Sequence, residues 1–185
     1  MRRASARASL AIGLAGAIIL LSGCGTAAST SAAPVPTASV GPAATVTAAV
    51  AQTRIAIVGA FTAAGVNVEL GDATQPYRPA ESARLRSAPR AVFQVTLPDQ
   101  PNAGYIVVYD FPDAASAVDA GNEEAGYLGT GPAKVQFPPD AEHVLQAVGT
   151  TLVLYTWSPT ASSDPTAGNV ADALKRLGIG FSIPR

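Results

Sequence analysis

One histidine, His143, and one cysteine, Cys24, are the side chains of this 185-residue chain best suited to chemistry. A histidine that acts as a general base needs a nucleophile or an orienting carboxylate within hydrogen-bond reach. A single histidine excludes sites that need two imidazoles, such as a zinc-binding His-Glu-x-x-His helix. A single cysteine excludes an intramolecular disulfide and a metal site built from several thiolates. The chain therefore offers one imidazole and one thiol.

The segment that precedes Cys24 has the pattern of an export signal. Residues 1–7 contain three arginines, and residues 8–23 are apolar or small. A transmembrane helix needs about 20 apolar residues, and this shorter run is interrupted by Gly13 and Gly16. We therefore predict a signal-peptide core at this position rather than a membrane span.

The run ends in Leu21-Ser22-Gly23-Cys24, which resembles the lipobox of bacterial lipoproteins. The resemblance implies that residues 1–23 are removed as a signal peptide and that the Cys24 thiol carries a covalent diacylglycerol. It also implies an exported protein, held by this lipid at the outer face of the cytoplasmic membrane. An inert, buried cysteine is the alternative. The arginine pair Arg2-Arg3 leaves the twin-arginine route open, although the following Ala4-Ser5-Ala6 favours the general secretory route.

The charge of the chain argues against nucleic acid as a partner. Twelve basic and 13 acidic side chains give a formal charge of −1, and residues 8–53 contain no charged side chain. Removal of residues 1–23 would leave nine basic and 13 acidic side chains, a formal charge of −4. This balance provides neither a basic nucleic-acid footprint nor a polybasic membrane patch, so membrane attachment would depend on the lipid.

Composition divides the remaining chain into a linker and one domain. Residues 25–44 are rich in Ala, Ser, Thr and Pro and contain no aromatic or charged side chain. Such a segment cannot bury enough apolar surface to offset its ordering entropy, so we predict a disordered linker over residues 24–44. Residues 45–185 are long enough for a single globular domain.

Hydrophobic periodicity and turn residues predict an α+β domain with a mainly antiparallel sheet and about three packed helices. Loop composition is expected over residues 71–90. Helices are predicted over residues 45–64, 113–128 and 164–176, and strands over residues 66–70, 91–97, 105–111, 134–137, 142–148, 151–157 and 179–183.

Residues 142–157 predict a hairpin whose two-residue turn is Gly149-Thr150. Strand alternation then separates two faces. One face is mostly aliphatic and is expected to pack against the helices, and it ends in the pair His143 and Thr156. The other face is amphipathic and is a candidate surface for a ligand or partner, since Trp and Tyr are favoured at interaction sites. Its candidate binding residues are Glu142, Val144, Gln146, Tyr155 and Trp157. Alternatively, further elements cover this face and make Trp157 a core residue.

Other candidate sites have simpler structural interpretations. A hydrogen-bonded structural role is favoured for His143, because Glu142 points to the opposite face and no Gly-x-Ser-x-Gly motif occurs. A metal site at Asp140, Glu142 and His143 is disfavoured, because alternation separates the histidine from the carboxylates. The glycine-rich residues 126–134 fit no phosphate-binding motif and are interpreted as a loop. The pair Glu123-Glu124 is assigned to an exposed helix face.

Four arginines, Arg78, Arg84, Arg86 and Arg90, leave two alternatives open. They form a solvated basic loop or a contact for an anionic partner such as a wall polymer. The sequence as a whole favours a lipid-anchored, non-catalytic binding module of the bacterial cell envelope. Its partner would be an envelope protein, a polymer or a small ligand, with no metal, and no cofactor other than the lipid. The alternative is a small envelope or cell-wall-modifying hydrolase with an unrecognised site.

Overall fold

The computed structural model describes residues 46–73, 77 and 79–184. The predicted signal peptide, Cys24 and the predicted linker lie outside these residues. The described chain contains five helices and six strands. They are α1 (Ala48–Ala63), β1 (Glu69–Asp72), α2 (Ala83–Ser87), β2 (Arg90–Thr96), β3 (Gly104–Asp110), α3 (Ala114–Leu128), α4 (Gly131–Lys134), β4 (Glu142–Val148), β5 (Thr151–Trp157), α5 (Thr166–Leu174) and β6 (Ile179–Gly180).

The strands form one antiparallel sheet in the order β1-β2-β3-β5-β4-β6. The predicted α+β class and the antiparallel sheet are confirmed. The predicted hairpin register is also confirmed, because Glu142 faces Trp157 and Val148 faces Thr151. Gly149 in the turn has a φ of 60°, a left-handed conformation that glycine adopts without a steric penalty.

Helices cover both faces of the sheet. Helices α1 and α5 pack on one face, where Ile57 and Val170 meet Ile106 and Val153 in a buried cluster. Helices α2, α3 and α4 pack on the other face, where a second cluster includes Leu145 and Leu154. The fold is thus three layers deep, with the central strands β3 and β5 buried from both sides.

The long helices begin at residues that cap their free backbone N–H groups. Thr47 precedes α1, and its Oγ1 accepts a hydrogen bond of 3.2 Å from the Val50 N–H. Asp113 precedes α3, and its Oδ1 accepts one of 2.7 Å from the Ser116 N–H. These bonds satisfy donors that have no partner within the helix, so side chains just before each helix fix where it begins.

Three local predictions are wrong. The glycine-rich residues 126–134, predicted to be a loop, contain the end of α3 and the short helix α4, because Pro132 in the first turn suits a helix. The strand predicted over residues 134–137 does not form, since Lys134 ends α4 and residues 135–137 form a turn and a bend. The expected loop over residues 71–90 contains the end of β1 and the five-residue helix α2, capped by Ser82.

The described residues fall within one compact unit, Val40–Arg185. None of the described helices is long and apolar enough to cross a membrane.

Candidate functional site

A cavity of about 220 Å³ lies where the end of β5 meets three connecting segments. We call it the sheet-end cavity. Its walls come from Tyr77, the β2–β3 connection, the segment between α4 and β4, the end of β5 with the loop after it, and the first turn of α5. The lining residues are Tyr77, Leu97, Gln100, Ala103, Phe137, Pro138, Ala141, Tyr155, Thr156, Trp157, Ser158, Ala161, Ser162 and Ala167.

Four of these lining residues are aromatic: Tyr77, Phe137, Tyr155 and Trp157. The Tyr77 ring stacks on Tyr105 of β3, with ring centroids 4.5 Å apart and the planes 7° from parallel. This contact holds Tyr77 against the sheet although it lies in a proline-containing connection. The cavity therefore has a high density of aromatic rings for its size.

The polar groups of the cavity wall are few. The Ser162 hydroxyl donates to Gln100 Oε1 at 3.0 Å, and the Tyr155 hydroxyl donates to the Ala167 carbonyl at 3.4 Å. The Trp157 Nε1–H is buried and has no hydrogen-bond partner among the described residues. A buried donor without an acceptor carries a desolvation cost.

Two carboxylates lie immediately behind this wall. The Ser158 hydroxyl donates to Asp140 at 2.8 Å, and the Thr160 backbone N–H donates to the same carboxylate at 2.7 Å. The Asp99 backbone N–H donates to Asp164 at 2.8 Å. These hydrogen bonds, chiefly from the Thr160 and Asp99 backbone N–H groups, lower the pKa values of Asp140 and Asp164, so both carboxylates are ionised at neutral pH.

Burial raises the pKa of the Tyr155 phenol, and the negative charge of Asp164 adds to this shift. The Asp164 carboxylate is hydrogen-bonded to the N–H groups of Asp99 and Thr166, the chain neighbours of the lining residues Gln100 and Ala167, so its charge lies close to the cavity. None of the described lining residues is itself charged. The cavity is therefore an uncharged aromatic space with negative charge behind it.

His143 lines a larger surface groove that shares Phe137, Pro138 and Ala141 with the sheet-end cavity. This side groove, of about 1070 Å³, also contains Asp140, Glu142, Lys134 and Lys175. His143 Nδ1 lies 2.8 Å from Thr156 Oγ1, and its ring packs edge-on against Phe137. Burial lowers the pKa of His143.

A catalytic arrangement at His143 lacks an orienting carboxylate among the described contacts. The Asp140 carboxylate is held by Ser158 and Thr160, and Thr156 occupies the Nδ1 side of the imidazole. The hydrogen bond and the aromatic contact of His143 are those of a positioned structural residue. Within the described part of the chain, no group of three or more His, Cys, Asp or Glu could hold a metal ion.

The five candidate binding residues share one sheet face, as predicted, but do not form an open patch. Val144, Gln146 and Tyr155 are 2%, 4% and 1% exposed because α1 and α5 cover this face. The expectation of an open binding surface is corrected on this point. Glu142 is exposed and borders the side groove, whereas Tyr155 and Trp157 line the sheet-end cavity.

A buried polar cluster beneath α3 was not expected from the sequence. Glu124 is fully buried, which corrects its assignment to an exposed helix face, and it accepts a hydrogen bond of 2.8 Å from the Ser82 N–H. Burial raises the pKa of Glu124. The neighbouring Glu81 accepts a hydrogen bond of 2.7 Å from the Tyr109 hydroxyl and pairs with Arg90.

The arginines of the expected basic segment are partly neutralised within the fold. Arg90 pairs with Glu81, and Arg84 pairs with Glu123 at 3.0 Å. Arg86 is exposed, and Arg78 lies outside the described residues. At least two of the four arginines thus join α2 and β2 to acidic side chains of the domain.

No sequence pattern indicated the other walls of the cavity. The sequence predicts a loop around Tyr77 and a strand at Phe137, and only the tertiary fold brings these two residues together. An aromatic residue in a proline-containing loop is the only local hint. Comparison with protein-family models, with curated proteins and with solved structures found no match for this chain.

Proposed function

We propose that the protein is a lipid-anchored binding module of the bacterial cell envelope that takes up a small molecule in the sheet-end cavity. The observation that carries the binding function is the concentration of four aromatic residues, Tyr77, Phe137, Tyr155 and Trp157, in the wall of one small cavity. Ligand sites in proteins are typically concave, mostly apolar and supplied with a few polar groups. At about 220 Å³, the cavity is somewhat larger than a cavity of about 150 Å³ that accepts benzene, so it suits a compact ligand of about one ring.

Anchoring rests on Leu21-Ser22-Gly23-Cys24 and on the basic and apolar residues before it. A lipid on Cys24 would hold the domain in a layer beside the membrane, which raises its effective concentration for any ligand or partner there. The predicted linker could extend for at most about 66 Å and would span about 25 Å on average as a flexible coil.

The anchor is tested with Cys24→Ala in a bacterial host that processes lipoproteins. We expect the wild-type chain to incorporate labelled fatty acid and to fractionate with membranes, and the variant to lose both properties. Cys24→Ser, which also removes the thiol, is the second variant. Membrane retention of both variants without label in the wild type would show that the anchor proposal is wrong.

The binding function is tested by the fluorescence of Trp157, the one tryptophan in the chain. Phenol, benzoate, choline and N-acetylglucosamine represent neutral aromatic, anionic, cationic and sugar ligands. We expect at least one of them to change the emission saturably at millimolar concentration or below. If none does so, the binding function is wrong.

A cavity-blocking variant shows whether such a change arises in the cavity. Ala161 is exposed at the cavity wall, so Ala161→Phe should weaken binding without disturbing the core. Ala63→Phe, at an exposed helix position away from the lining residues, is the matched control and should bind as the wild type does. Equal binding by the two variants would place the ligand elsewhere.

A further inference from the structure

The sheet-end cavity combines aromatic walls with ionised carboxylates behind them. Its aromatic residues are Tyr77, Phe137, Tyr155 and Trp157. The π-face of an aromatic ring carries partial negative charge and attracts a cation within about 6 Å, most strongly when both are shielded from water. An enclosure of such rings recognises methylated ammonium groups, whose charge is spread and weakly hydrated.

The charges around the cavity also favour a positively charged ligand. Asp140 is hydrogen-bonded to the lining residue Ser158, and Asp164 accepts hydrogen bonds from the Asp99 and Thr166 N–H groups, next to the lining residues Gln100 and Ala167. None of the described basic side chains lines the cavity, and Lys134 and Lys175 line the side groove. Lys175 is moreover paired with Asp172 at 3.0 Å.

The charge arrangement is unfavourable for an anion. An anionic ligand would meet the negative faces of the rings and the field of two carboxylates, with no described cation in the lining to balance its charge. A sugar would need several free polar partners, whereas the described hydroxyls of Thr156, Ser158 and Ser162 already bond to other protein groups. A neutral aromatic ring would gain from the rings but not from the carboxylates.

We propose that the sheet-end cavity binds a small organic cation with a methylated ammonium group. This inference rests on the binding function proposed above and adds the chemical class of the ligand.

The test compares choline with 3,3-dimethyl-1-butanol, in which a carbon replaces the ammonium nitrogen. The two probes have the same shape and the same hydroxyl, so their difference in affinity reports on the positive charge. We expect choline to bind the full-length protein at least about tenfold more tightly, as judged by Trp157 emission, because several rings and two carboxylates favour the charge.

Tyr77→Leu removes one ring and leaves the fluorescent reporter in place. We expect choline affinity to fall about fivefold or more and the affinity of the neutral isostere to change less. Phe111→Leu removes a partly buried aromatic ring just after β3 that packs against the same cluster as Tyr77 and is absent from the cavity lining, so it should leave both affinities within about twofold. Circular dichroism and thermal unfolding of each variant check that it folds.

The outcomes separate the two proposals. Equal binding of choline and its isostere, or equal weakening of both by Tyr77→Leu, overturns recognition of the charge while the binding function stands. Binding of phenol, benzoate or N-acetylglucosamine in preference to choline also overturns the ligand class alone. Failure of every probe to bind overturns both proposals.

Discussion

Glu124 is a carboxylate for which burial and hydrogen bonding act in opposite directions. Burial raises its pKa, and the hydrogen bond from the Ser82 N–H partly opposes this shift. In the native state the group therefore holds its proton to a higher pH than it would in the unfolded chain, whose reference pKa is 4.5. The native state then binds more protons than the unfolded state in that interval, so stability falls as the pH rises through it.

We predict that Glu124→Gln removes this loss of stability. The uncharged amide keeps an oxygen for the Ser82 N–H and does not ionise. The free energy of unfolding of the variant, measured with urea between pH 4.5 and 8, should improve relative to the wild type as the pH increases. Parallel pH profiles of the two proteins would contradict the prediction. Glu123→Gln, which changes the exposed neighbouring carboxylate, is the matched control.

The connection between α5 and β6 passes very close to the backbone of β4. Gly178 has a φ of 44°, and a Cβ at this position would lie 1.9 Å from the Ala147 carbonyl oxygen of β4. No residue other than glycine fits without movement of the chain that leads into β6. Gly65, just after α1, also has a positive φ of 68°, but a Cβ there would meet no atom within 4 Å.

The two glycines therefore separate conformational strain from steric overlap. We expect Gly65→Ala to cost about 1 kcal/mol, because only the left-handed backbone is penalised. Gly178→Ala should cost about 3 kcal/mol or more, since a backbone clash adds to the same strain. Urea unfolding measures both values, and equal costs would show that the chain at Gly178 relaxes freely.

At the scale of helices and strands, sequence patterns identified elements whose signals are local. The β4–β5 hairpin was predicted in its register, because two alternating strands flank Gly149-Thr150 and the pairing follows from the turn length. Helix α2 was missed because its five residues depend on contacts with α3, such as the pair Arg84–Glu123. The alternation of Val135 and Phe137 suggested a strand, but Pro132 and Thr130 favour a helical turn.

At the scale of the whole molecule, the sequence of the β4–β5 hairpin does not show that helices cover both faces of the sheet. The face with Val144, Val153 and Tyr155 contains enough apolar surface to be buried, yet the same residues also fit an interaction surface. The sheet-end cavity could not be predicted from the sequence for a related reason. Its walls come from residues as far apart as Tyr77 and Ala167, so only the tertiary fold brings them together.

The layered burial predicts an order of local stability. Backbone amides of β3 and β5 should exchange with solvent most slowly, because these strands have neighbours on both sides and helices on both faces. Amides of the edge strand β1 should exchange at least about tenfold faster. Hydrogen exchange followed by NMR measures both sets under the same conditions. Similar rates in β1 and β3 would show that the sheet opens only as a whole.

The two edges of the sheet also affect how neighbouring molecules behave when they are crowded. An uncovered strand edge can pair with another chain and begin aggregation. Here one edge strand has four residues and has Glu69 and Asp72 at its ends, while the other has two residues, Ile179 and Gly180. Longer strands lie inside the sheet, where their backbone groups are already paired. Copies concentrated by the proposed lipid anchor would thus present few backbone groups for intermolecular sheet formation.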